Sequence, residues 1–570
     1  MQREDSPASK PPLTLQLASY AWVALLTLLI ASPWLPPGYV FGTDFAGPRH
    51  FSFPTFPDST APLELVLAVA SVVLPSDLVG KLLIFAILAG AGSAAVHAVP
   101  SSAFTPRAVA AAIYVINPFV YDRVAYGQLT VLAGYAALPW VALRLRRLFE
   151  KPTMTNAALL AVAFAVIAAL DVHMAIVAAL LTTTIATAYI AITARTLRHF
   201  LEIAGSLLAA TLLAVASSLY WIVPLLVGKG EEALTLANIG SADLEFFSTA
   251  PDPRLGLLPN VLGLYGFWAE RTDRFTSMKD FVPQWPLVLG ALLGLACVGA
   301  VMAATRSARL QRPDLRPWVI GILAATLMAV VLEIGVSDPH TAPLARWLFQ
   351  AVAPYRGMRD ASKWGAVLAL AYSQLGALGA IALHDIVRAR VVRLNMQDVA
   401  VGTLVAVLMA LPLYYGNGLL YGMHGQVRPS TYPSGWYEVD HALTSDPKPG
   451  RAVFLPWHGY LLLSFVRNAN RVVASPAPQF FSTPLVASRD VEIPGIAPPT
   501  NDPDQAAISA LVVKGGGADW GTQLASRQFK YVILAREADY ARYSYLDTQP
   551  GLTLVGDYGS IRLYRNLRWT

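Results

Sequence analysis

The chain has 570 residues, of which 55% are hydrophobic and only 14% charged. A soluble domain carries charge on about a quarter of its residues, so this composition excludes a water-soluble protein. The net charge of +6 does not point to nucleic acid, because Lys and Arg are scattered through short connectors and form no basic stripe.

Along the chain, eleven apolar runs stand out: 17–34, 78–96, 108–116, 129–143, 157–170, 174–194, 204–227, 285–302, 318–336, 364–383 and 399–413. A helix needs about 20 apolar residues to cross the hydrocarbon layer, so these runs are read as about eleven transmembrane helices. Run 108–116, stopped by Asn117-Pro118, is too short to cross unaided and reads as a broken or re-entrant helix. Met1 to Lys10 is polar, and the first run lacks a small-residue cleavage pattern, so it reads as an uncleaved span. Cys297, the sole cysteine, sits inside an apolar run, which excludes an intramolecular disulfide and a cysteine metal cluster.

Basic residues set the orientation. With the N-terminus inside, the even-numbered connections hold Arg107; Arg144, Arg146, Arg147 and Lys151; Arg195 and Arg198; Arg306, Arg309, Arg312 and Arg316; and Arg388, Arg390 and Arg393. Those 14 residues are about three times as dense as the Lys and Arg of the odd-numbered connections, as the positive-inside rule requires. The expected organisation is a polytopic membrane domain over 1–415, with outer loops 35–77, 228–284 and 337–363, followed by an extracytoplasmic domain over 416–570. Within the first loop, 61–75 reads as an apolar helix too short to span, lying along the interface. Beyond residue 429, short β-rich runs at 451–455, 530–535, 552–555 and 561–564 are separated by polar and Gly or Pro turns, which predicts a small α/β domain. No internal repeat is visible.

Four places carry ionisable groups suited to chemistry. Asp44, in Gly42-Thr43-Asp44-Phe45 just after the first span, is the candidate general base, with a turn aspartate as the plain alternative. Asp171 and His173 occupy a three-residue outer turn. Ionisable groups so close to hydrocarbon commonly face a cavity, and a divalent cation (Mg or Mn) would need further oxygen ligands, Asp44 among them. A helix cap with a bonded histidine is the plain alternative. Arg356, Arg359 and Lys363, spaced three and four apart, would share one face of a helical turn and suit a lipid phosphate; an Arg359 ion pair with Asp360 or Asp338 is the alternative. Asn117-Pro118-Phe119-Val120-Tyr121-Asp122-Arg123 with Gly127-Gln128 makes a polar break that should line the interior, Asp122 and Arg123 reading as a structural pair or as cavity contacts. In the C-terminal part, Pro456-Trp457-His458-Gly459-Tyr460 offers aromatic faces to a sugar, although burial in a small core is the simpler use. Walker, dinucleotide, zinc-helix and Gly-x-Ser-x-Gly motifs are absent.

These pieces together resemble the GT-C superfamily of membrane glycosyltransferases, and more closely the YfhO-like predicted bacterial glycosyltransferases and the membrane part of actinobacterial arabinofuranosyltransferases. The likeness rests on Gly42-Thr43-Asp44, on Asn117-Pro118-Phe119 with Gly127-Gln128, on the turn with His173, and on Arg359-Asp360-Ala361-Ser362-Lys363-Trp364. Two departures stand out: Ala361 replaces an expected proline, and the turn reads Asp-Val-His-Met where a Gly-His-Pro-Gln-like sequence is expected. The resemblance implies an all-α, GT-C-like polytopic fold. It also implies inverting transfer of a sugar from a polyprenyl-phosphate donor to an envelope glycan or glycolipid, at the outer face of the cell membrane. Asp44 would then be the base, and Arg356, Arg359 and Lys363 would hold the donor phosphate; Asp122, Asp171 and Asp280 compete for the role of a second acid. Two readings from other classes are a lipid or polysaccharide flippase, which would need polar residues along several spans, and a noncatalytic envelope scaffold.

Overall fold

A helix stands at each of the eleven apolar runs. The computed structural model describes residues 13–272, 274–305, 315–391, 394–496, 498 and 500–570. Met1 to Lys10 and the connector residues Arg306, Arg309, Arg312 and Arg393 lie outside the described residues.

The membrane part runs α1 (Leu13–Ala31), α2 (Ala61–Val73), α3 (Ser76–Ala98), α4 (Phe104–Val115), α5 (Pro118–Tyr126), α6 (Leu129–Glu150), α7 (Met154–Leu170), α8 (Val172–Thr193), α9 (Leu197–Leu226), α10 (Trp285–Ala304), α11 (Arg316–Ile334), α12 (Gly365–Arg390) and α13 (Leu394–Tyr415). Eight of the described helices are long and apolar enough to cross a membrane, or nine if α4 and α5, bent by 41°, are one broken span. This is fewer than the eleven expected, for two physical reasons. Arg144, Arg146 and Arg147 lower the hydropathy of α6, and α7 has only 17 residues. The short apolar helix forms as α2, with Val72 and Val73 largely exposed.

The break after α4 follows from its sequence. Pro118 at the first position of α5 has no amide hydrogen to donate, and Asn117 caps the new helix by accepting from Val120 N at 3.1 Å. The Asn117 amide donates back to the carbonyls of Ile113 and Tyr114, both at 2.9 Å, so the interrupted ladder stays satisfied inside the bundle.

α12 is the central helix, buried along nearly its whole length between α4, α10 and α11. Small residues let the backbones touch. A Cβ added at Gly299 of α10 would stand 2.0 Å from the Leu375 carbonyl oxygen, and one at Gly379 would stand 2.1 Å from that of Leu295.

The C-terminal part is an α/β domain, as expected. Its five-stranded sheet has the order β4-β1-β5-β7-β6, formed by β1 (Arg451–Leu455), β4 (Leu485–Val486), β5 (Phe529–Ala535), β6 (Leu552–Asp557) and β7 (Ile561–Asn566). β1 pairs parallel with β4 and β5, whereas β7 pairs antiparallel with β5 and β6. Alternation along β1 sends Ala452 and Phe454 to the face covered by the helix Ser434–Thr444, and Val453 and Leu455 to the face covered by Pro503–Lys514. A separate antiparallel hairpin, β2 (Tyr460–Leu462) with β3 (Val472–Ala474), lies beside this sheet. The first loop after α1 threads into the domain. Tyr39 and Ser430 exchange backbone hydrogen bonds at 2.8 and 2.9 Å, and Phe41 and Ala46 are part of the core around Trp436.

Gly299→Ala should lower the thermal unfolding midpoint in detergent by the equivalent of about 1–3 kcal/mol, because its Cβ meets backbone that cannot yield. Gly290→Ala on the same helix meets nothing within 4 Å and should leave the midpoint unchanged or raise it. Equal effects would contradict the close crossing of α10 and α12.

Candidate active site

Two glycines place Asp44. Gly127 ends α5 in the left-handed region, at φ +71°, and Gly42 packs on it so closely that a Cβ there would stand 2.5 Å from the Gly127 Cα. The loop carrying Asp44 is thereby pressed onto the end of α5, with Asp44 N donating to the Tyr126 carbonyl at 2.6 Å. On its other side β3 seals the loop, Ala474 N donating to the Thr43 carbonyl at 2.7 Å. Two side chains hold the Asp44 carboxylate: Tyr460 OH donates to Oδ1 at 2.9 Å and Gln128 Nε2 donates to Oδ2 at 3.2 Å. Asp44 is exposed to solvent, yet protein atoms crowd around it. Crowding governs its proton: burial pushes the carboxyl above its usual range, against the pull of Tyr460, Gln128 and Arg123.

Behind Gln128 stands a buried polar knot. Arg123 Nη1 donates to Gln128 Oε1 and, at 2.6 Å, to Asp360 Oδ2; Nη2 donates to Ser362 Oγ at 2.6 Å, and Ser362 donates on to Asp360 Oδ1 at 2.6 Å. The expected Asp122–Arg123 pair is therefore replaced by Arg123–Asp360, and buried Asp122 lies instead within electrostatic range of Glu270 and Lys279 as well as Arg123. Burial alone would raise the Asp360 carboxyl, but Arg123 and Lys363 outweigh it and hold it below the usual range. Glu333 of α11 completes the wall. It is buried, its Oε2 has no hydrogen-bond partner among the described residues, and it stands 3.5 Å from where a Cβ on Gly365 would be.

The expected helical face over Arg356, Arg359 and Lys363 does not form. The backbone breaks at Met358 and Asp360 into short 3-10 turns, so the three side chains diverge. Arg356 Nε donates to the Phe349 carbonyl at 3.3 Å. Arg359 pairs with Asp243, a partner not foreseen, and stacks on Phe247 with its guanidinium 4.8 Å from the ring centre. Lys363 is buried, in the field of Asp360, Asp171, Arg123 and Arg359, and its ammonium has no hydrogen-bond partner among the described residues.

Asp171 caps α8 by accepting from Met174 N at 2.8 Å, and His173 Nδ1 lies 3.3 Å from its other oxygen. The cap and the cavity readings thus hold together, because the same carboxylate faces Lys363. Burial would raise its pKa, but His173, Lys363 and the capped amide bring it below the usual range. The cation site sketched for Asp171, His173 and Asp44 is not assembled: among the described residues no three His, Cys, Asp or Glu side chains stand close enough together to hold a metal ion.

Every odd-numbered connection contributes to this assembly: Asp44, Gln128, Asp171 with His173, Asp243, then Arg359 to Lys363, and finally Tyr460 after the last helix. The sequence offers Tyr460 only as an aromatic face and gives no hint of its bond to Asp44, and Glu333 is not among the expected site residues. Trp457 is buried, as expected of a small core, but Tyr460 reaches across to the membrane domain. Glu333 had a signal, a lone acid in an apolar run. An apolar groove of about 570 Å³ runs between α2, α3 and α6 past Leu67, Leu83 and Trp140 to Leu170, the neighbour of Asp171 in sequence.

No family model matches the sequence, and neither does any curated protein. The fold resembles the cryo-EM structure of the arabinofuranosyltransferase AftD from Mycobacteria, with a TM-score of 0.58 and 16% sequence identity over 98% of this chain. The chain spans 40% of the length of that protein.

Replacing Arg123 with Gln strands Asp360 without its buried counter-charge and should cost about 3–5 kcal/mol of stability in thermal unfolding. Arg123→Gln with Asp360→Asn together should recover part of that loss. A single variant as stable as the double would contradict the pairing.

Proposed function

We propose that this protein is an integral-membrane glycosyltransferase of the GT-C type. In this reading it moves a sugar from a polyprenyl-phosphate donor to an envelope glycan or glycolipid at the outer face of the cell membrane, with the N-terminus cytoplasmic and the C-terminal domain extracytoplasmic. The observation that carries the reading is the link from a solvent-reached carboxylate, Asp44, through Gln128 to the buried Arg123–Asp360 pair, in whose field the buried Lys363 also lies. The likeness to AftD, an arabinofuranosyltransferase by name, supports the class; the finer kinship with YfhO-like enzymes rests on the short motifs alone.

In the proposed step the acceptor hydroxyl attacks the anomeric carbon and gives its proton to Asp44, while the carbon–oxygen bond to the donor phosphate breaks on the opposite face. The bond electrons leave with the phosphate, and the product carries the inverted configuration. The Lys363 ammonium, unpaired and shielded from water, suits the charge that develops on that phosphate, and Arg359 lies on the same side. The apolar groove ending at Leu170 gives a prenyl chain a path to the same place. Polar groups gather at one end of the bundle and do not line several spans, which counts against a flippase.

Asp44→Asn should abolish transfer, measured with a labelled lipid-linked sugar in proteoliposomes, while insertion and yield stay normal; undiminished product refutes the assigned base. Arg359→Ala with Lys363→Ala should weaken use of the lipid donor, and unaltered donor dependence would remove both from the site. The pH profile gives a sharper test. Transfer requires the ionised Asp44, so its rate falls as pH drops through a pKa that burial has already raised. Tyr460→Phe removes a hydrogen bond that favours the carboxylate, so the acid limb should move to higher pH. An unmoved limb would show that Tyr460 does not position the base.

A further inference from the structure

Beside the loop that carries Asp44 lies a cleft of about 460 Å³, within the size range of small-molecule sites. Four parts of the chain wall it: Thr43 of the first loop, Tyr121 and Tyr126 of α5, Arg274 to Thr276 of the loop before α10, and the segments 423–427 and 468–472 of the C-terminal part. Its polar wall is fixed in advance. Asn470 donates to Thr43 Oγ1 at 3.2 Å and accepts from Val472 N at 3.0 Å, and Gln426 Nε2 donates to Tyr121 OH at 2.9 Å. The rings of Tyr126 and Phe275, 5.9 Å apart, add an aromatic side.

The charged side chains of the wall itself are all basic, while Asp122, Asp280 and Glu270 act on Tyr121 from behind it. Arg274 and Arg471 both line it, neither guanidinium makes a hydrogen bond or ion pair with any described residue, and no described Asp or Glu is part of the wall. Arg359, by contrast, has its Asp243 and Arg346 its Glu245. Two unpaired guanidinium groups over a rigid amide wall suit a carboxylate or phosphate, and aromatic faces suit a sugar ring. Thr43 and Tyr126 belong both to the cleft and to the support of Asp44, whose amide donates to the Tyr126 carbonyl, so a saccharide seated here ends beside the carboxylate.

We propose that this cleft binds an anionic saccharide and serves as the acceptor subsite, a role that rests on Asp44 being the base. Arg274 and Arg471 select the negative substituent, a uronate carboxylate or a sugar phosphate.

The test is calorimetric binding to the full-length protein in nanodiscs, with four probes: a disaccharide containing glucuronic acid, its neutral methyl ester, a disaccharide monophosphate and inorganic phosphate. At least one charged disaccharide should bind about tenfold or more tighter than both the ester and inorganic phosphate, less so at high salt, and whichever wins identifies the substituent. Arg274→Gln and Arg471→Gln should each weaken that binding about tenfold, with unchanged thermal unfolding because neither side chain holds a structural partner. Asp44→Asn should bind as wild type does. Failure of both charged disaccharides to bind, equal binding of ester or bare phosphate, or indifference to both arginine substitutions overturns the saccharide site. Full transfer activity in Asp44→Asn overturns the acceptor role and leaves the binding result standing, so the two failures are told apart.

Discussion

A guanidinium at the end of a membrane helix has to find partners, and the way Arg123 finds them organises the rest of the molecule. Its side chain is only 1% exposed, too deep for water to pay its desolvation. Asp360 supplies the counter-charge, Ser362 from the same turn and Gln128 from the end of α5 accept two more of its hydrogens, and Nε is left without a partner among the described residues. The knot therefore locks the bend after α5 to the irregular turns before α12. The same turns position Lys363 toward Asp171, and Gln128 reaches forward to Asp44. One buried cation thus fixes both ends of a charge arrangement that in sequence is spread over more than three hundred residues.

The C-terminal domain is part of this arrangement and not an appendage. Phe41 and Ala46, either side of Asp44, lie in its hydrophobic core, and the β2–β3 hairpin holds Thr43 on one strand while Tyr460 on the other bonds the carboxylate. Asp44 consequently sits at a seam, supported from below by α5 and from above by the hairpin. A carboxylate held this way has its hydrogen-bond donors already in place, and Tyr460, Gln128 and Arg123 all oppose the effect of burial on its proton. Pieces of both domains also make up the cleft with Arg274 and Arg471, so in the proposed function substrate choice and proton transfer would share one scaffold.

Much of this was legible from residues alone because hydropathy and charge act locally. Each apolar run became a helix, Asn117-Pro118 broke the chain where a cap and a missing amide hydrogen require it, and β-rich runs at 451–455 and 530–535 became central strands. Of the eleven helices only eight or nine reach the length and hydropathy of a crossing, since arginines at the end of α6 count against crossing while leaving the helix intact. Pairing was the harder matter. Arg123 has an acid next to it in sequence, yet one hundreds of residues away wins because the helix points the two neighbours apart. The spacing of Arg356, Arg359 and Lys363 suggested a helical face, but the turns around Met358 and Asp360 follow from packing against α8 and α11, which no local pattern encodes. The Tyr460–Asp44 bond was invisible for the same reason: the hairpin is three residues a strand, and the partner lies 416 positions earlier.

The central claim is that base and phosphate-binding cations face one another across a single cleft at the membrane surface. An experimental density map of the protein in nanodiscs with a polyprenyl monophosphate bound tests it most directly. The account predicts the phosphate within hydrogen-bond reach of Lys363, its chain in the groove past Leu67 and Trp140, and Asp44 across the gap with room for a sugar between. Lipid phosphate bound at the opposite end of the helices, or seated where Asp44 cannot face it, would contradict the account.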